Sequence, residues 1–160
     1  MDDKEITSPL KISGRMKQEK KCNLIIFIKI YFLQNYEALK RLRDNGHEVY
    51  GPVEHTIENA WDYSNKEWGR LVFEEDIRAI NAADCIVAIS YGRTKTTSGC
   101  SWEIGYAYGI GKKVVVVEMD EGPQSLMVSN GSYATLKGIE GLMNYDFISM
   151  PKLMTEAEQK

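Results

Sequence analysis

Two short apolar runs constrain the fold of this chain more than any other feature. CIVAIS, at residues 85–90, contains six residues without a charge and is rich in β-branched side chains. VVVVEM, at residues 114–119, carries the strongest strand signal in the sequence. Runs of this kind are typical of strands buried on both faces, as in parallel sheets that helices cover on each side.

Strand and helix patterns alternate along the rest of the chain. NLIIFI, from Asn23, and HEVYGP, from His47, predict two further strands. The segments predicted to be helical are NYEALKRLRDNG, RLVFEEDIRAINAAD, SWEIGYAYGIGKK, QSLMVSNG (a short helix or turn) and LKGIEGLMNY. Strands alternating with helices imply right-handed crossover connections. We therefore predict an α/β fold of three layers, in which a mostly parallel five-stranded sheet has helices on both faces, as in Rossmann-like and flavodoxin-like proteins.

The 160 residues of the chain have the length of one domain. Residues 1–21 contain six Lys or Arg and four Asp or Glu among scattered apolar positions, so we expect a disordered tail there. We expect a single domain at residues 22–150 and a C-terminal tail at residues 151–160. Trp61 and Trp68 fall in a predicted loop, where such residues are more typical of core or lid aromatics than of platforms for base stacking.

Composition and charge favour small-molecule chemistry over nucleic-acid binding. With 20 Lys and Arg against 23 Asp and Glu the net charge is −3, whereas phosphate-dominated binding needs a basic surface. Cys22, Cys85 and Cys100 form no CxxC pair, and only two histidines accompany them. The sequence therefore does not support a zinc site or a disulfide framework, and we expect no metal and no cofactor.

The longest apolar run is too short to cross a membrane. It extends from Asn23 to Leu33, contains Lys29, and falls short of the ~20 residues that a spanning helix needs. The stretch before it has mixed charge and lacks the small-residue cleavage signal of a secretory peptide. We expect a cytoplasmic protein without a membrane partner.

The connection after CIVAIS is the predicted place of the chemistry, because open parallel sheets bind ligands beyond the carboxyl ends of their strands. This connection, YGRTKTTSGCSWEIGYA, offers hydroxyls at Thr97, Ser98 and Ser101 that can cap the following helix. Glu103 is then expected in or near the first turn of that helix. The helix dipole would favour the ionised form of Glu103 and keep it available as a nucleophile. The alternative is that Glu103 is the N3 acid of a structural capping box.

Two more carboxylates lie close to this connection in the sequence. Asp76 falls on the preceding predicted helix, and Asp84 stands immediately before CIVAIS. Because Asp84 is at the amino end of that strand, away from the expected site, we interpret it as structural. Asp76 stays a candidate for the site.

The segments INAADCIVAIS, SGCSWEIGYAYGIGKKVVVV and SLMV together resemble the nucleoside 2-deoxyribosyltransferases and their nucleotide N-glycosidase relatives. The family signature, Ser-Gly-small-x-x-Glu-Ile-Gly-Tyr-Ala, is nearly intact and contains Ser98, Gly99 and Glu103. The resemblance implies that Glu103 attacks the anomeric carbon of a nucleoside, releases the base and forms a covalent glycosyl-enzyme. It also implies that Asp76 contacts the nucleobase and can protonate it as it departs. Whether water or a second base then reaches the sugar stays open.

Two departures from the transferase pattern favour a nucleotide substrate. Thr97 stands where the transferases usually carry Asp, and Ser125 stands where they usually carry Asn. In relatives that hydrolyse nucleoside 5′-monophosphates, hydroxyl residues at these places bind phosphate. The resemblance therefore implies a 5′-phosphate site made by Thr97, Ser98, Ser125 and Arg93, since hydroxyls and a guanidinium suit a phosphate that an Asp would repel. The alternative is that these hydroxyls bond only to the local backbone.

The first strand departs from the family more strongly. Tyr31 matches the family's first-strand tyrosine, but IKIYFLQNYEAL has no glycine and is short for the family's ligand-binding loop. A non-catalytic nucleotide-binding or regulatory module with the same fold is therefore one alternative, and a TIR-like NAD-cleaving domain is a weaker one. The resemblance also implies a homodimer or a higher homo-oligomer, because the family's sites are typically completed by a neighbouring subunit.

Overall fold

A computed structural model describes residues 23–27, 32–54, 56–91 and 98–153. Its strands are β1 (Asn23–Phe27), β2 (Glu48–Tyr50), β3 (Cys85–Ser90), β4 (Lys113–Glu118) and β5 (Ala134–Lys137). Its α-helices are α1 (Phe32–Asp44), α2 (Asn65–Ala82), α3 (Ser98–Gly109), α4 (Leu126–Gly131) and α5 (Gly138–Asn144), with short 3-10 turns at Pro52–Glu54 and Ala60–Asp62. The predicted N-terminal tail lies outside the described residues.

The five strands form one parallel sheet in the order β2-β1-β3-β4-β5. β3 lies at the centre, where Ile86 pairs with Ile25 of β1 on one side and with Val114 of β4 on the other. All six residues of β3 are buried, which is why this strand carries no charge. The predicted α/β fold with a five-stranded parallel sheet is confirmed.

Side chains of the central strands alternate between two separate cores, as the two-residue repeat of a strand requires. Val87 and Ile89 join the core under α1 and α5, whereas Ile86 and Ala88 join the core under α2, α3 and α4. Helices therefore cover both faces of the sheet. Two of the three helices on the second face, α2 and α3, carry the acidic residues predicted for the site.

Helix α2 begins earlier than its apolar pattern predicts. Ser64 caps it: its hydroxyl accepts a hydrogen bond from the backbone N–H of Glu67 at 3.3 Å, and the Glu67 carboxylate accepts one from the N–H of Ser64 at 3.0 Å. This capping box starts the helix at Asn65, so Trp68 lies on the helix and not in a loop. Trp61 is 99% exposed, so it is not a core aromatic, and its alternative interpretation as a lid aromatic stays a prediction.

The fifth strand was predicted as part of the sheet but was not located in the sequence. It is Ala134–Lys137, so Leu136 belongs to β5 and the last helix begins two residues later, at Gly138. Its four residues alternate between buried and more exposed positions, which is a weak signal at this length. Gly138 has a φ of 61°, a backbone conformation that glycine adopts without strain and that turns the chain from strand to helix.

Candidate active site

Two neighbouring helices on one face of the sheet carry Glu103 and Asp76. Glu103 lies on α3 one turn from Cys100 and from Ala107, which are both buried against the sheet, so its carboxyl is drawn partly out of solvent. Asp76 lies on α2 one turn before Ile80, which is fully buried in the same core. The helical repeat thus places each acid at the edge of the buried face of its helix.

Glu103 is the sixth residue of α3, and the first turn of that helix contains no acidic residue. Glu103 therefore lies in the second turn, near the first turn as expected but not in it, and the alternative role as the N3 acid of a capping box was wrong. The predicted effect on ionisation is also reversed. Burial, and after it the negative charge of Asp76, raise the pKa of Glu103 to about 7 from an ordinary value of 4.5.

Asp76 and Glu103 form an acid pair. Tyr50, the last residue of β2, contacts this pair through Asp76, although the sequence did not indicate Tyr50 as a site residue. Its hydroxyl donates a hydrogen bond to Oδ1 of Asp76 at 3.0 Å. Burial raises the pKa of Tyr50 well above its usual range, and the charges of Asp76, Glu75 and Glu103 add to the effect. The one available signal was its position at the carboxyl end of a strand, the edge of the sheet where ligands bind.

An aromatic row joins the two helices beside the acids. The Phe73 ring of α2 lies 5.3 Å from the Trp102 ring of α3, and Trp102 stacks on Tyr106 at 5.5 Å with nearly parallel planes. The Tyr106 hydroxyl donates to Oδ1 of Asn81 at 3.2 Å, which returns the contact to α2. Phe73 and Asp76 are one turn apart, and Trp102 adjoins Glu103, so this row fixes the spacing of the helices that hold the acids.

The far ends of the same helices are tied by Lys112, which follows α3. Its ammonium group donates to the backbone carbonyls of Asn81 at 2.8 Å and Ala83 at 2.7 Å, at the C-terminal end of α2. A cation that binds the last carbonyls of a helix stabilises that end. The α2–α3 pair is therefore connected from the middle of α2 to its C-terminal end.

The other predicted site residues lie in or near the first turn of a helix, or outside the described residues. Ser98 and Gly99 form the exposed first turn of α3, and Ser101 lies within the helix, so neither serine is its N-cap. Ser125 is the N-cap of α4 and makes no side-chain capping bond. Tyr31, Arg93 and Thr97 lie outside the described residues.

Two cavities that are lined by described residues lie beside α4. Ser125 lines one of about 340 Å³ between α3 and α4, together with residues Ser101, Ile104, Gly105, Tyr108, Met127, Val128, Asn130 and Gly131. The other, of about 800 Å³, lies at the ends of β4 and β5, where buried Glu118 pairs with Lys137. The described lining of the larger cavity contains neither acid of the pair.

In the described part of the chain no three His, Cys, Asp or Glu side chains are grouped as a metal site would need. No helix among residues 32–54, 56–91 and 98–153 has both the length and the apolar character required to cross a membrane.

The family model for nucleoside 2-deoxyribosyltransferases matches residues 25–154, which include Tyr50, Asp76 and Glu103. The chain belongs to the nucleoside 2-deoxyribosyltransferase family. The match extends over all five helices and, apart from its first two residues, over the whole sheet. The resemblance seen in the short signature segments thus holds for the domain as a whole.

Solved structures include similar deoxyribosyltransferases. The 2-deoxyribosyltransferase from the psychrotolerant bacterium Bacillus psychrosaccharolyticus is 26% identical with a TM-score of 0.73, and the similarity covers 82% of this chain and 98% of that one. A 2-desoxiribosyltransferase from Leishmania mexicana is 20% identical with a TM-score of 0.41, over 78% of this chain and 79% of that one. No curated protein sequence matches the chain.

Proposed function

We propose that this protein breaks the N-glycosidic bond of a nucleoside or nucleoside 5′-monophosphate, with Glu103 as the nucleophile. The observation that carries the proposal is the partly buried acid pair, in which the neighbouring charge of Asp76 helps to raise the pKa of Glu103 to about 7. Perturbed carboxyl groups at the carboxyl edge of a parallel sheet are candidates for catalysis. Membership of the deoxyribosyltransferase family supports the same chemistry.

The proposed reaction has two steps. The ionised carboxylate of Glu103 forms a bond to the anomeric carbon while the bond from that carbon to the base nitrogen breaks, and the base leaves with the electron pair. Asp76 contacts the base, and its carboxylate holds a water molecule that gives the base the neutralising proton, so that the hydroxide or a second base is left to attack the sugar. Water or a second base then attacks the anomeric carbon and releases Glu103. Water gives hydrolysis, and a second base gives transfer.

The test measures free base released from deoxynucleosides and their 5′-monophosphates by chromatography. We expect Glu103→Gln and Glu103→Ala to abolish release, whereas Glu58→Gln, which removes an exposed carboxylate, leaves it unchanged. A 2-fluoro sugar should leave a mass adduct on the peptide that contains Glu103. Turnover retained in both Glu103 variants would exclude the covalent mechanism, and no release by the wild-type protein would favour the non-catalytic module.

The pH dependence follows from the raised pKa of Glu103. Below about pH 7 the carboxyl is mainly protonated and cannot attack, so we expect kcat/KM to rise as pH increases through 7. An ordinary carboxylate would be ionised far below that pH. A rate that is constant between pH 5.5 and 8.5 would contradict the assignment of Glu103 as the ionised nucleophile.

We further propose that Ser98 and Ser125, with Thr97 and Arg93, bind a 5′-phosphate. The absence of a capping bond from the Ser125 side chain supports this, because the hydroxyl is not used to begin α4. A hydrogen bond to a charged group is worth roughly 1.5–3 kcal/mol, so one contact gives a preference of about ten-fold or more for the monophosphate in kcat/KM. We expect Ser125→Ala to reduce that preference and Ser149→Ala, on the opposite face of the sheet, to leave it. Equal values for both substrates would contradict the proposal.

We also propose that the protein is a homo-oligomer. Leu126 and Met127, which follow Ser125, are 75% and 84% exposed, and Tyr108 across the smaller cavity is exposed as well. A second copy that covers these side chains would remove this apolar surface from water. Light scattering should give a dimer or a larger assembly, and Met127→Glu should dissociate it while Leu153→Glu does not. A monomeric mass in an active sample would contradict this proposal.

A further inference from the structure

We infer that Tyr50 is a positioning residue of the acid pair: its hydroxyl holds the Asp76 carboxylate in one orientation beside Glu103 and supplies it with a proton donor other than Glu103. The contact joins the end of β2 to α2, with 3.0 Å between the Tyr50 hydroxyl and Oδ1 of Asp76. Tyr50 therefore acts through Asp76. The kinetic consequence of this inference rests on the proposed function, whereas its electrostatic consequence does not.

The position of Tyr50 is well supported by its surroundings. Its backbone pairs with Ile25 of β1, and its ring packs on the core shared by α2 and α3. The next residue, Gly51, is buried so closely against Leu39 of α1 that a Cβ atom there would lie 2.9 Å from both terminal carbons of that leucine. A larger residue after Tyr50 would have to displace the Leu39 side chain, so the chain packs closely on α1 at this point, and the hydroxyl is held by sheet and helix together.

Three negative charges of the described residues act on the Tyr50 hydroxyl. Asp76 and Glu75 approach it from α2, and Glu103 approaches it from α3. Burial, together with these charges, raises the pKa of Tyr50 well above its usual range, so the hydroxyl is a neutral donor between pH 5 and pH 9. A hydroxyl that stays protonated can donate a hydrogen bond to the Asp76 carboxylate whether or not the neighbouring Glu103 carboxyl is ionised.

The hydroxyl also affects where the proton of the acid pair is bound. While Tyr50 donates to Asp76, that carboxylate can stay charged without a hydrogen bond from the acid form of Glu103. Without the hydroxyl, two close carboxylates are less stable together, and they bind a shared proton more tightly. Removal of the hydroxyl is therefore expected to raise the pH at which Glu103 loses its proton.

The decisive experiment follows the carboxyl ¹³C signal of Glu103 by NMR as a function of pH, and it requires no turnover. The signal is assigned by its loss in Glu103→Gln. We expect a midpoint near pH 7 in the wild-type protein and about one pH unit higher in Tyr50→Phe, since that hydrogen bond reaches a charged group. Asp76→Asn should lower the midpoint, and Tyr50→Phe added to Asp76→Asn should produce no further rise.

Tyr106→Phe is the matched control. It also removes a tyrosine hydroxyl at the α2–α3 contact, but that hydroxyl bonds to Asn81 and not to the acid pair. We expect it to leave the Glu103 midpoint unchanged. An unchanged or lower midpoint in Tyr50→Phe, or the same rise in the Asp76→Asn background, would overturn the inference even if the protein proves to be an active glycosidase or transferase.

Activity provides the second readout if the proposed function holds. Tyr50→Phe should then shift the acid limb of kcat/KM by the same one pH unit, with a loss of about ten-fold near pH 6 and little loss at pH 9. A purely structural role would lower kcat/KM by one factor at every pH. Such a uniform loss, with an unshifted NMR midpoint, would assign Tyr50 to the framework only.

Discussion

Replacement of Glu103 by glutamine should make the protein more stable at alkaline pH. In the folded protein the pKa of Glu103 is raised to about 7, so folding favours the protonated carboxyl. That contribution is fully present below pH 4.5, the ordinary value, and is lost as pH rises through 7. Above pH 7 the folded wild-type protein keeps a partly buried charge next to Asp76. Glutamine carries no charge at any pH, so the variant escapes this cost.

The size of the effect follows from the size of the shift. A rise from 4.5 to about 7 corresponds to at most about 3.5 kcal/mol, at ~1.4 kcal/mol for each pKa unit. The side chain is only partly buried, and solvent screens its interaction with Asp76, so we expect a little under half of that limit, or ~1.5 kcal/mol. For a protein of this length, a stabilisation of that size raises Tm by about 3–6 °C.

The assay compares urea unfolding of the wild-type protein and Glu103→Gln at pH 4 and pH 8.5. The two proteins should have nearly equal free energies of unfolding at pH 4, below the ordinary pKa of 4.5, and the variant should be the more stable one at pH 8.5. Glu58→Gln, which removes an exposed carboxylate, should show no such pH-dependent difference. A difference that does not change with pH, or a less stable Glu103→Gln at pH 8.5, would refute the reasoning.

Three further predictions concern the scaffold, each measured as the free energy of unfolding in urea. Ser64→Ala should cost about 1 kcal/mol because it removes the capping box of α2, and an unchanged value would mean that the cap contributes nothing. Gly69→Ala, at an exposed position within α2, should stabilise by about 0.5–1 kcal/mol, whereas Gly111→Ala, at a φ of 78°, should destabilise by about 1–2 kcal/mol; the same sign for both would contradict the backbone argument. Ile86→Ala should cost about 2–5 kcal/mol because Ile86 is fully buried at the centre of the sheet, far more than Leu126→Ala at an exposed position.

The central sheet could be predicted from the sequence because its strands are buried on both faces. Six uncharged residues of β3 and the valine run of β4 leave few other structures available. The start of α2 and the place of β5 could not be predicted from apolar periodicity. A capping box made by the side chains of Ser64 and Glu67 decides the first boundary, and a φ of 61° at Gly138 decides the second; neither feature is part of apolar periodicity, although the Ser-x-x-Glu pattern of the capping box can be read in the sequence.

The candidate site, like the fold, could be predicted only in part from the sequence. The signature placed Glu103 after the central strand, and Asp76 was found on the adjacent helix. The start of α3 at Ser98 puts Glu103 in the second turn, so burial and the charge of Asp76, and not the helix dipole, determine the direction in which the pKa of Glu103 shifts. Tyr50 was missed because it comes 26 residues before its partner, and only the folded sheet brings the end of β2 against α2.

The strand order also has a consequence for how a newly made chain assembles. β1 lies between β2 and β3, although β3 leaves the ribosome after both. A nascent chain can therefore join β2 to β1 and bring Tyr50 to Asp76 while the other edge of β1 is still open. Glu103 follows β3 in the chain, so it is made only after β1, β2 and Asp76 are available to pair. The mutual repulsion of the two acids can thus be added after the Tyr50 hydroxyl has reached Asp76.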